Sequence, residues 1–228
     1  MPRLPRFDLV GVPQHVVQRG NNRGACFFAE DDRIAYLDWL REAAAFHAVS
    51  IHGYVMMTNH VHLLATPHEA RAVSAMMQTL GRRYVRHVNR RHCRTGTLWE
   101  GRFKACLVGS ERYVLAAHRY IDLNPVRAGI VLDPAAYRWS SYAAHTGAPR
   151  DRWLSPHECY LALGATLEER GRAYRELCAA TIDESELAAL RKATSSEMAC
   201  GNDPFKDQMA GLGGRRVRPM ARGRSAHG

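Results

Sequence analysis

Two apolar segments separated by only two residues constrain the fold of this chain most. Residues 51–57 (IHGYVMM) and residues 60–66 (HVHLLAT) each have the length and the apolar content of a strand. Thr58 and Asn59, which lie between them, leave room only for a tight turn. The two segments are therefore predicted to pair as a β-hairpin, and the neighbouring elements must pack on the sheet that contains it.

Strand and helix patterns flank this hairpin on both sides. The predicted elements are, in order, strand 14–19, helix 31–47, strands 51–57 and 60–66, helix 69–92, strand 97–108 and helix 111–123. The last helix stops before Asn124-Pro125, because proline cannot continue it. This order predicts an α+β fold with a ferredoxin-like split βαβ core, an antiparallel sheet and one added helix.

An excess of basic residues predicts an anionic polymer as partner. The chain has 228 residues, with 32 Lys and Arg against 22 Asp and Glu, and a net charge of +10. Such a charge favours nucleic acid over a membrane, and no apolar run approaches the roughly eighteen residues of a membrane span. No secretory signal is recognisable at the N-terminus. The six cysteines are scattered without a CxxC pair, which is typical of reduced thiols in a cytosolic protein.

The composition changes after about residue 145, which predicts three regions. They are a main domain over residues 1–145, a helical extension over residues 146–210 and a basic tail over residues 211–228. Within the extension, residues 156–194 are rich in Ala, Leu and Glu and are predicted to be helical. The tail carries five arginines and no acidic residue, and it is predicted to be disordered on its own.

Two histidines in the second strand of the hairpin are candidate metal ligands. His60 and His62 are two residues apart, so their side chains project from one face of the strand while Val61 turns to the other. Two imidazoles at this spacing can share a divalent metal ion through neutral nitrogens. Taken alone, the pair is also compatible with two sheet histidines that have no ligand role. His15 and His52, on other predicted strands, are either groups behind such a site or ordinary sheet residues.

A second candidate set lies in residues 119–129 (RYIDLNPVRAG). Tyr120 and Asn124 are four residues apart and share a helix face, with the Asn124 amide oxygen free at the helix end. A tyrosine beside a metal-bound phosphate can act as a nucleophile. The alternatives are a packing role for Tyr120 and a helix-terminating role for Asn124. Tyr113, seven residues earlier and near the same face, is the rival nucleophile.

Basic and amide side chains predict how a nucleic acid is held. The candidates are Arg19, Asn21, Asn22 and Arg23 after the first strand, Arg102 and Lys104 on the last strand, Arg127 beyond Asn124, and Arg82, Arg83, Arg86 and Arg90 on the long helix. Such groups neutralise phosphates and read exposed base edges, although each one singly is also compatible with a solvated surface charge. We expect the RGNNR turn and the RFK segment to border the active cleft. Trp99 is either a base-stacking or a buried side chain.

Five segments of the chain resemble, in order, those of the REP-associated tyrosine transposases. The segments are HVVQRGNNR, YVMMTNHVHLL, LWEGRF, RYIDLNPVRAG and WSSY, and the resemblance covers roughly residues 8–145. These enzymes belong to the single-tyrosine HUH endonuclease and transposase superfamily and contain an IS200-like transposase domain. The resemblance implies that residues 1–145 are a catalytic domain in which His60 and His62 bind Mg²⁺ or Mn²⁺. It implies Asn124 as the third ligand, at a place where related transposases often have glutamine.

The resemblance also implies a reaction and a substrate. Tyr120 would attack a scissile phosphate in single-stranded DNA, leaving a 5′-phosphotyrosine link and a free 3′-OH. The expected function is thus that of a metal-dependent endonuclease and strand transferase acting on single-stranded or hairpin DNA. Alternatives are a DNA-binding repressor that retains the fold and a metal-dependent hydrolase that uses activated water. The sequence leaves open whether the protein is a monomer or a homodimer.

Overall fold

A five-stranded sheet forms the centre of the structure, a computed structural model that describes residues 8–181, 183–213 and 217. The strands are β1 (Gln14–Arg19), β2 (Val49–Met56), β3 (His60–Pro67), β4 (Lys104–Val108) and β5 (Ala199–Cys200). They lie in the order β2-β3-β1-β4-β5. All neighbouring strands are antiparallel except β4 and β5, which are parallel.

Helices cover both faces of this sheet. They are α1 (Glu30–Phe46), α2 (Ala72–Arg91), α3 (Glu111–Asp122), α4 (Asn124–Arg127), α5 (Tyr142–His145), α6 (Glu158–Leu161), α7 (Leu167–Ala179), α8 (Glu184–Ser196) and α9 (Asp203–Gly213). Leu40 of α1 and Leu80 of α2 pack with Val61 and Leu63 in one buried cluster. The α3 and α8 helices cover the opposite face with a second buried cluster. The chain thus forms two apolar layers, one on each side of the sheet.

The predicted fold is confirmed in its core. The elements β1, α1, β2, β3, α2 and β4 form the split βαβ arrangement, and the order β2-β3-β1-β4 is that of an antiparallel ferredoxin-like sheet. The predicted hairpin corresponds to β2 and β3. The α3 helix ends at Asp122 and α4 begins at Asn124, so the stop before Pro125 is also confirmed.

The strand predicted over residues 97–108 is wrong in its first half. Within this range only Lys104–Val108 is a strand, and residues 97–103 form a bent segment with an isolated bridge between Trp99 and Gly20, the residue after β1. Gly101 has a φ of 145°, a backbone conformation that residues with a Cβ rarely adopt. This glycine turns the chain away from a straight strand, and a pattern of apolar residues does not reveal such a turn.

The C-terminal third forms helices and also completes the sheet. The helices α6, α7 and most of α8 lie within the predicted helical range, residues 156–194. Leu190 and Ala193 of α8 pack in the same buried cluster as Val114 and Ala117 of α3. The short strand β5, which was not predicted, pairs with the edge strand β4. Of the predicted basic tail, only residues 211–213 and Val217 are described, so the prediction for the rest lies outside the described residues.

All six cysteines are free thiols, and only Cys93 is exposed. Among the residues that the structure describes, every helix is too short or too polar to cross a lipid bilayer.

Candidate active site

Strand β3 directs His60 and His62 toward α3. Their ring centroids are 4.8 Å apart, whereas Val61 between them lies in the buried cluster under α1 and α2. This is the alternation that a strand imposes. The last turn of α3 brings Tyr120 to the same place, with its ring centroid 5.4 Å from that of His62. The structure therefore gathers Tyr120, His60 and His62, which are three of the four side chains that the sequence suggested for the reaction; the fourth is Asn124.

The His60 ring is held in one orientation by its neighbour in sequence. The side-chain nitrogen of Asn59 donates to the Arg23 carbonyl (2.9 Å), so the Asn59 amide oxygen faces His60. That oxygen can only accept, and it therefore accepts a hydrogen bond from His60 Nδ1 (2.6 Å). Burial, together with the charge of Arg19, lowers the pKa of His60 to about 4. At pH 7 the ring is thus neutral, its hydrogen is on Nδ1, and Nε2 carries a lone pair.

The His62 ring is fully buried and hydrogen-bonded from behind. Its Nδ1 lies 2.8 Å from Nε2 of His15 on the neighbouring strand β1, and the two rings are parallel within 5°. Burial, with smaller contributions from His15, His60 and Arg19, lowers the pKa of His62 well below its usual value. Because Nδ1 is taken by His15, Nε2 is the nitrogen left for a ligand. Neutral imidazoles are what a divalent cation requires, so this pair fits a metal site.

Two arginines lie beside Tyr120. The guanidinium carbon of Arg127 is 4.6 Å from the centroid of the Tyr120 ring, and that of Arg191 is 6.0 Å away. Distances of this order allow a cation–π attraction. Guanidinium groups also form paired hydrogen bonds with phosphate oxygens. The tyrosine therefore stands between two groups that can bind the anion it would attack.

A basic cavity of about 610 Å³ opens beside these residues. Its lining includes the side chains of His15, His62 and Tyr120 and the basic residues Arg19, Arg23, Arg102, Lys104 and Arg191. Only one acidic residue, Glu100, is among the lining residues that the structure describes. Positive charge around a concave site attracts phosphate groups. The predicted placement of the RGNNR turn and the RFK segment at this cleft agrees with the lining.

Some predicted site residues lie outside this lining. Asn21 and Asn22 are exposed in a short 3₁₀ turn, Asn21–Arg23, next to the cavity rim. Arg127 packs on Tyr120 instead. Asn124 is half-buried at the start of α4 and is not one of the described residues that line the cavity. Tyr113, the rival nucleophile, packs against the buried cluster between α3 and α8.

The long helix α2 borders a second cavity, of about 1110 Å³. Arg82 and Arg86 of α2 line it, and Arg102 lines both cavities, so the two adjoin. Trp99 lies in the wall of the second cavity, half-buried and stacked on Tyr84 with ring centroids 5.8 Å apart. Basic residues therefore continue from the tyrosine along the face of the molecule.

The α8 helix supplies three lining residues that no pattern in the sequence indicates: Arg191, Thr194 and Ser195. Thr194 contacts His15 across 179 positions of sequence. No local periodicity or motif indicates such a contact. Only a set of related sequences in which the two positions vary together would have revealed it.

A buried network holds the end of α3, and with it Tyr120. The Asp122 carboxylate, fully buried, accepts hydrogen bonds from Ser141 Oγ (2.7 Å), His145 Nδ1 (2.7 Å) and the Tyr174 hydroxyl (2.8 Å). Burial lowers the pKa of His145, but the Asp122 carboxylate outweighs this effect and the pKa is raised. Ser141 belongs to the WSSY segment. The WSSY segment, one of the five on which the family resemblance rests, thus helps to anchor the helix that carries Tyr120.

A second group of possible metal ligands is a poorer fit. The ligand atoms of His157, Glu158 and Cys159 lie within 4.8 Å of one another at the start of α6. His157 Nδ1 already accepts a hydrogen bond from the Cys159 backbone. Burial, and then the nearby carboxylates of Glu158 and Glu111, raise the pKa of the Cys159 thiol. A raised pKa opposes the thiolate that a metal ion would need.

Comparisons with known proteins identify a family and a similar fold. Residues 10–124 match the family described as IS200-like transposases. The fold is similar to a solved structure of the REP-associated tyrosine transposase bound to a REP hairpin, with a TM-score of 0.54, 16% identity, and coverage of 68% of this chain and 89% of that chain. A crystal structure of a candidate transposase from Deinococcus radiodurans R1 aligns with a TM-score of 0.37 and 23% identity, over 53% of this chain and 96% of that chain. Curated protein sequences gave no match.

Proposed function

This chain belongs to the IS200-like transposase family, and on that premise we propose that it is a metal-dependent endonuclease and strand transferase for single-stranded DNA. One observation carries the proposal. The hydroxyl-bearing ring of Tyr120 lies against His62, whose Nε2 is free for a metal ion, inside a cavity lined by basic side chains. A nucleophile, a cation site and phosphate-binding groups are thus in one place.

The reaction that this arrangement supports is a transesterification. The Tyr120 oxygen attacks a backbone phosphorus, and the bond from phosphorus to the 3′ oxygen of the preceding nucleotide breaks. The phenol loses its proton and the departing 3′ oxygen gains one, so the products are a 5′-phosphotyrosine and a 3′-hydroxyl. Attack by another 3′-hydroxyl reverses the step and joins two strands. Because one phosphodiester bond replaces another, the reaction needs no energy from a nucleoside triphosphate.

His60 and His62 would hold the metal ion through their Nε2 atoms, and Asn124 is proposed as a further ligand through its amide oxygen. A bound Mg²⁺ or Mn²⁺ supplies positive charge that polarises a phosphate group. Two imidazole nitrogens favour manganese over magnesium, which prefers oxygen ligands. Asn124 is the first residue of α4, one helical turn beyond Tyr120, which is close enough along the chain for both to serve one site.

DNA would enter along the basic lining. We assign phosphate contacts to Arg19, Arg23, Arg102 and Lys104, which line the cavity, and to Arg127, which lies on Tyr120. The exposed amides of Asn21 and Asn22 are suited to base edges at the rim. A solved protein of similar fold is bound to a REP hairpin. By analogy, the substrate proposed here is hairpin-forming repeat DNA with a single-stranded flank.

Trapping of the covalent intermediate tests the proposal. The protein is incubated with labelled hairpin DNA and Mn²⁺ or Mg²⁺, and a denaturing gel shows whether label moves with the protein. Tyr120→Phe should abolish the labelled adduct and leave DNA binding within about twofold, because only the reacting oxygen is removed. Tyr113→Phe, on the same helix but not among the described residues that line the cavity, should form the adduct like the wild type.

Other results would point to other functions. Cleaved DNA without an adduct, when religation is blocked by removal of the free 3′-hydroxyl, would identify a hydrolase that uses water. Binding without cleavage across several hairpins and both metals would identify a repressor. An adduct that persists in Tyr120→Phe and disappears in Tyr113→Phe would move the nucleophile to Tyr113.

A further inference from the structure

A chain of hydrogen bonds runs from His62 through two other side chains into α8. His62 Nδ1 lies 2.8 Å from His15 Nε2, and His15 Nδ1 lies 2.9 Å from the Thr194 hydroxyl. The Thr194 hydroxyl lies 2.8 Å from the Leu190 carbonyl, one turn earlier in the same helix. His15 and Thr194 are 1% and 6% exposed, so solvent does not compete for these bonds. This series of hydrogen bonds ends at the backbone carbonyl of Leu190, which can only accept a hydrogen bond.

That fixed end determines the direction of every hydrogen bond. A carbonyl only accepts, so the Thr194 hydroxyl gives its hydrogen to Leu190 and its oxygen accepts from His15 Nδ1. A neutral imidazole has a single hydrogen, so His15 Nε2 has none and must accept from His62 Nδ1. His62 is then left with a lone pair on Nε2. The tautomer of His62 is thus set by the Leu190 carbonyl of α8, three hydrogen bonds away.

The neighbouring thiol does not disturb this order. Cys106 Sγ lies 3.2 Å from the Thr194 hydroxyl and can donate its hydrogen to it. A hydroxyl oxygen has two lone pairs, so it accepts from both His15 and Cys106 while donating to Leu190. The other proposed metal ligand, His60, is oriented by a different contact, because Asn59, itself held by the Arg23 carbonyl, accepts its Nδ1 hydrogen. Each of the two rings therefore has its own fixing partner, and only that of His62, which is His15, is held in turn by a residue of the C-terminal extension, Thr194.

We propose that His15 and Thr194 are positioning residues that hold His62 with Nε2 ready to bind a divalent metal ion, which makes α8 a part of the metal site. The inference rests on the metal site of the proposed function. Without the Thr194 oxygen, His15 Nδ1 loses its acceptor, and the ring gains a hydrogen bond only by moving its hydrogen to Nε2. His15 then donates to His62 Nδ1, and the hydrogen of His62 moves to the nitrogen that must bind the metal. Loss of such a supporting bond typically weakens metal affinity by about 10–100-fold.

Manganese binding to the full chain tests the inference without any reaction. Isothermal titration with Mn²⁺ alone compares the wild type with Thr194→Val, which keeps the shape of threonine, and Thr194→Ser, which keeps the hydroxyl. Thr194→Val should weaken binding by about 10-fold or more, and Thr194→Ser should restore the affinity to within about threefold. Nitrogen NMR of the metal-free protein, labelled at histidine, should show the hydrogen of His62 on Nδ1 in the wild type and on Nε2 in Thr194→Val.

A second pair of variants keeps the test decisive if Thr194→Val does not fold. His15→Gln retains an acceptor for His62 Nδ1, whereas His15→Leu removes it. Mn²⁺ affinity should therefore stay near that of the wild type in the former and fall in the latter. Wild-type affinity and an unchanged His62 tautomer in both Thr194→Val and His15→Leu would overturn the inference. If the double variant His60→Ala/His62→Ala also binds Mn²⁺ like the wild type, the metal site itself is wrong, which is a different failure.

Discussion

The guanidinium group of Arg127 lies over the ring of Tyr120, 4.6 Å from its centroid, although the two residues stand on different helices. The break between α3 and α4 makes this contact, because the chain turns at Leu123 and returns Arg127 alongside the last turn of α3. A cation fixed at that position can hold the phosphate that Tyr120 attacks in the proposed reaction.

Replacement of Arg127 should therefore slow the reaction more than it weakens binding. For Arg127→Ala we expect adduct formation to slow by about 100-fold, the usual effect of removing one charge-stabilising donor. Single-turnover rates at saturating DNA measure this effect. Arg172→Ala, at an exposed position of α7, is the matched control and should react like the wild type. An unchanged rate in Arg127→Ala would show that the arginine only packs on the tyrosine.

Binding of a metal ion should stabilise the fold through His62. At a Mn²⁺ concentration of about 100 times its Kd, the free energy of unfolding should rise by about 2.7 kcal/mol. His62→Asn should lose this increase, whereas His68→Asn, at an exposed position after β3, should keep it. Chemical denaturation with and without Mn²⁺ provides the measurement. Equal stabilisation of both variants would place the ion elsewhere.

Removal of one cavity arginine should change the salt dependence of DNA binding. Arg102 is exposed and lines both cavities, so Arg102→Ala should remove one phosphate contact. The plot of log affinity for single-stranded DNA against log salt should become less steep by about 0.7, the value per phosphate for single strands. Fluorescence anisotropy over a range of salt concentrations measures the slope. A slope identical to that of Arg172→Ala would exclude Arg102 from the interface.

The network beneath α3 should contribute strongly to stability. Asp122→Asn leaves the size of the side chain unchanged but removes the carboxylate that pairs with the buried His145 and raises its pKa. Breaking a buried pair in this way costs about 3–5 kcal/mol of unfolding free energy. Urea denaturation should show the loss, and Asp38→Asn, on the exposed side of α1, should show almost none. A small effect of Asp122→Asn would mean that the hydrogen bonds, rather than the charge, anchor the helix.

The protein should lose stability on mild acidification, partly through His52. Burial lowers the pKa of His52 to about 4, while its Nδ1 donates to the Ser155 carbonyl (2.6 Å). Because the folded pKa lies below the unfolded one, this contribution is present above pH 6.5 and is lost as the pH falls toward 4. The loss is on the order of 1–3 kcal/mol. Denaturation curves at pH 7 and pH 4.5 should lie further apart in the wild type than in His52→Gln, and an equal separation in the two proteins would contradict the assignment.

The sequence predicted the parts of the site that follow local periodicity. The alternation along β3 placed His60 and His62 on one face, and helical spacing placed Tyr120 at the end of α3. Local patterns could not reveal Arg191 or Thr194, because their positions depend on how α8 folds back over the sheet. They also missed β5, whose two residues are too few to form a pattern, and the turn at Gly101. Contacts between distant segments are set by packing, and a single sequence records packing only indirectly.

The late position of α8 in the chain has a consequence for biosynthesis. A ribosome that has completed β1 to β4 has already produced all four strands of the antiparallel sheet, together with both histidines of β3. The helix that carries Thr194 emerges only after another 75 or more residues, counted from Val108 to Glu184. A nascent or prematurely ended chain thus contains all four of these strands while the series of hydrogen bonds behind His62 is still incomplete. DNA near the site of synthesis would meet a protein whose proposed metal site is completed last.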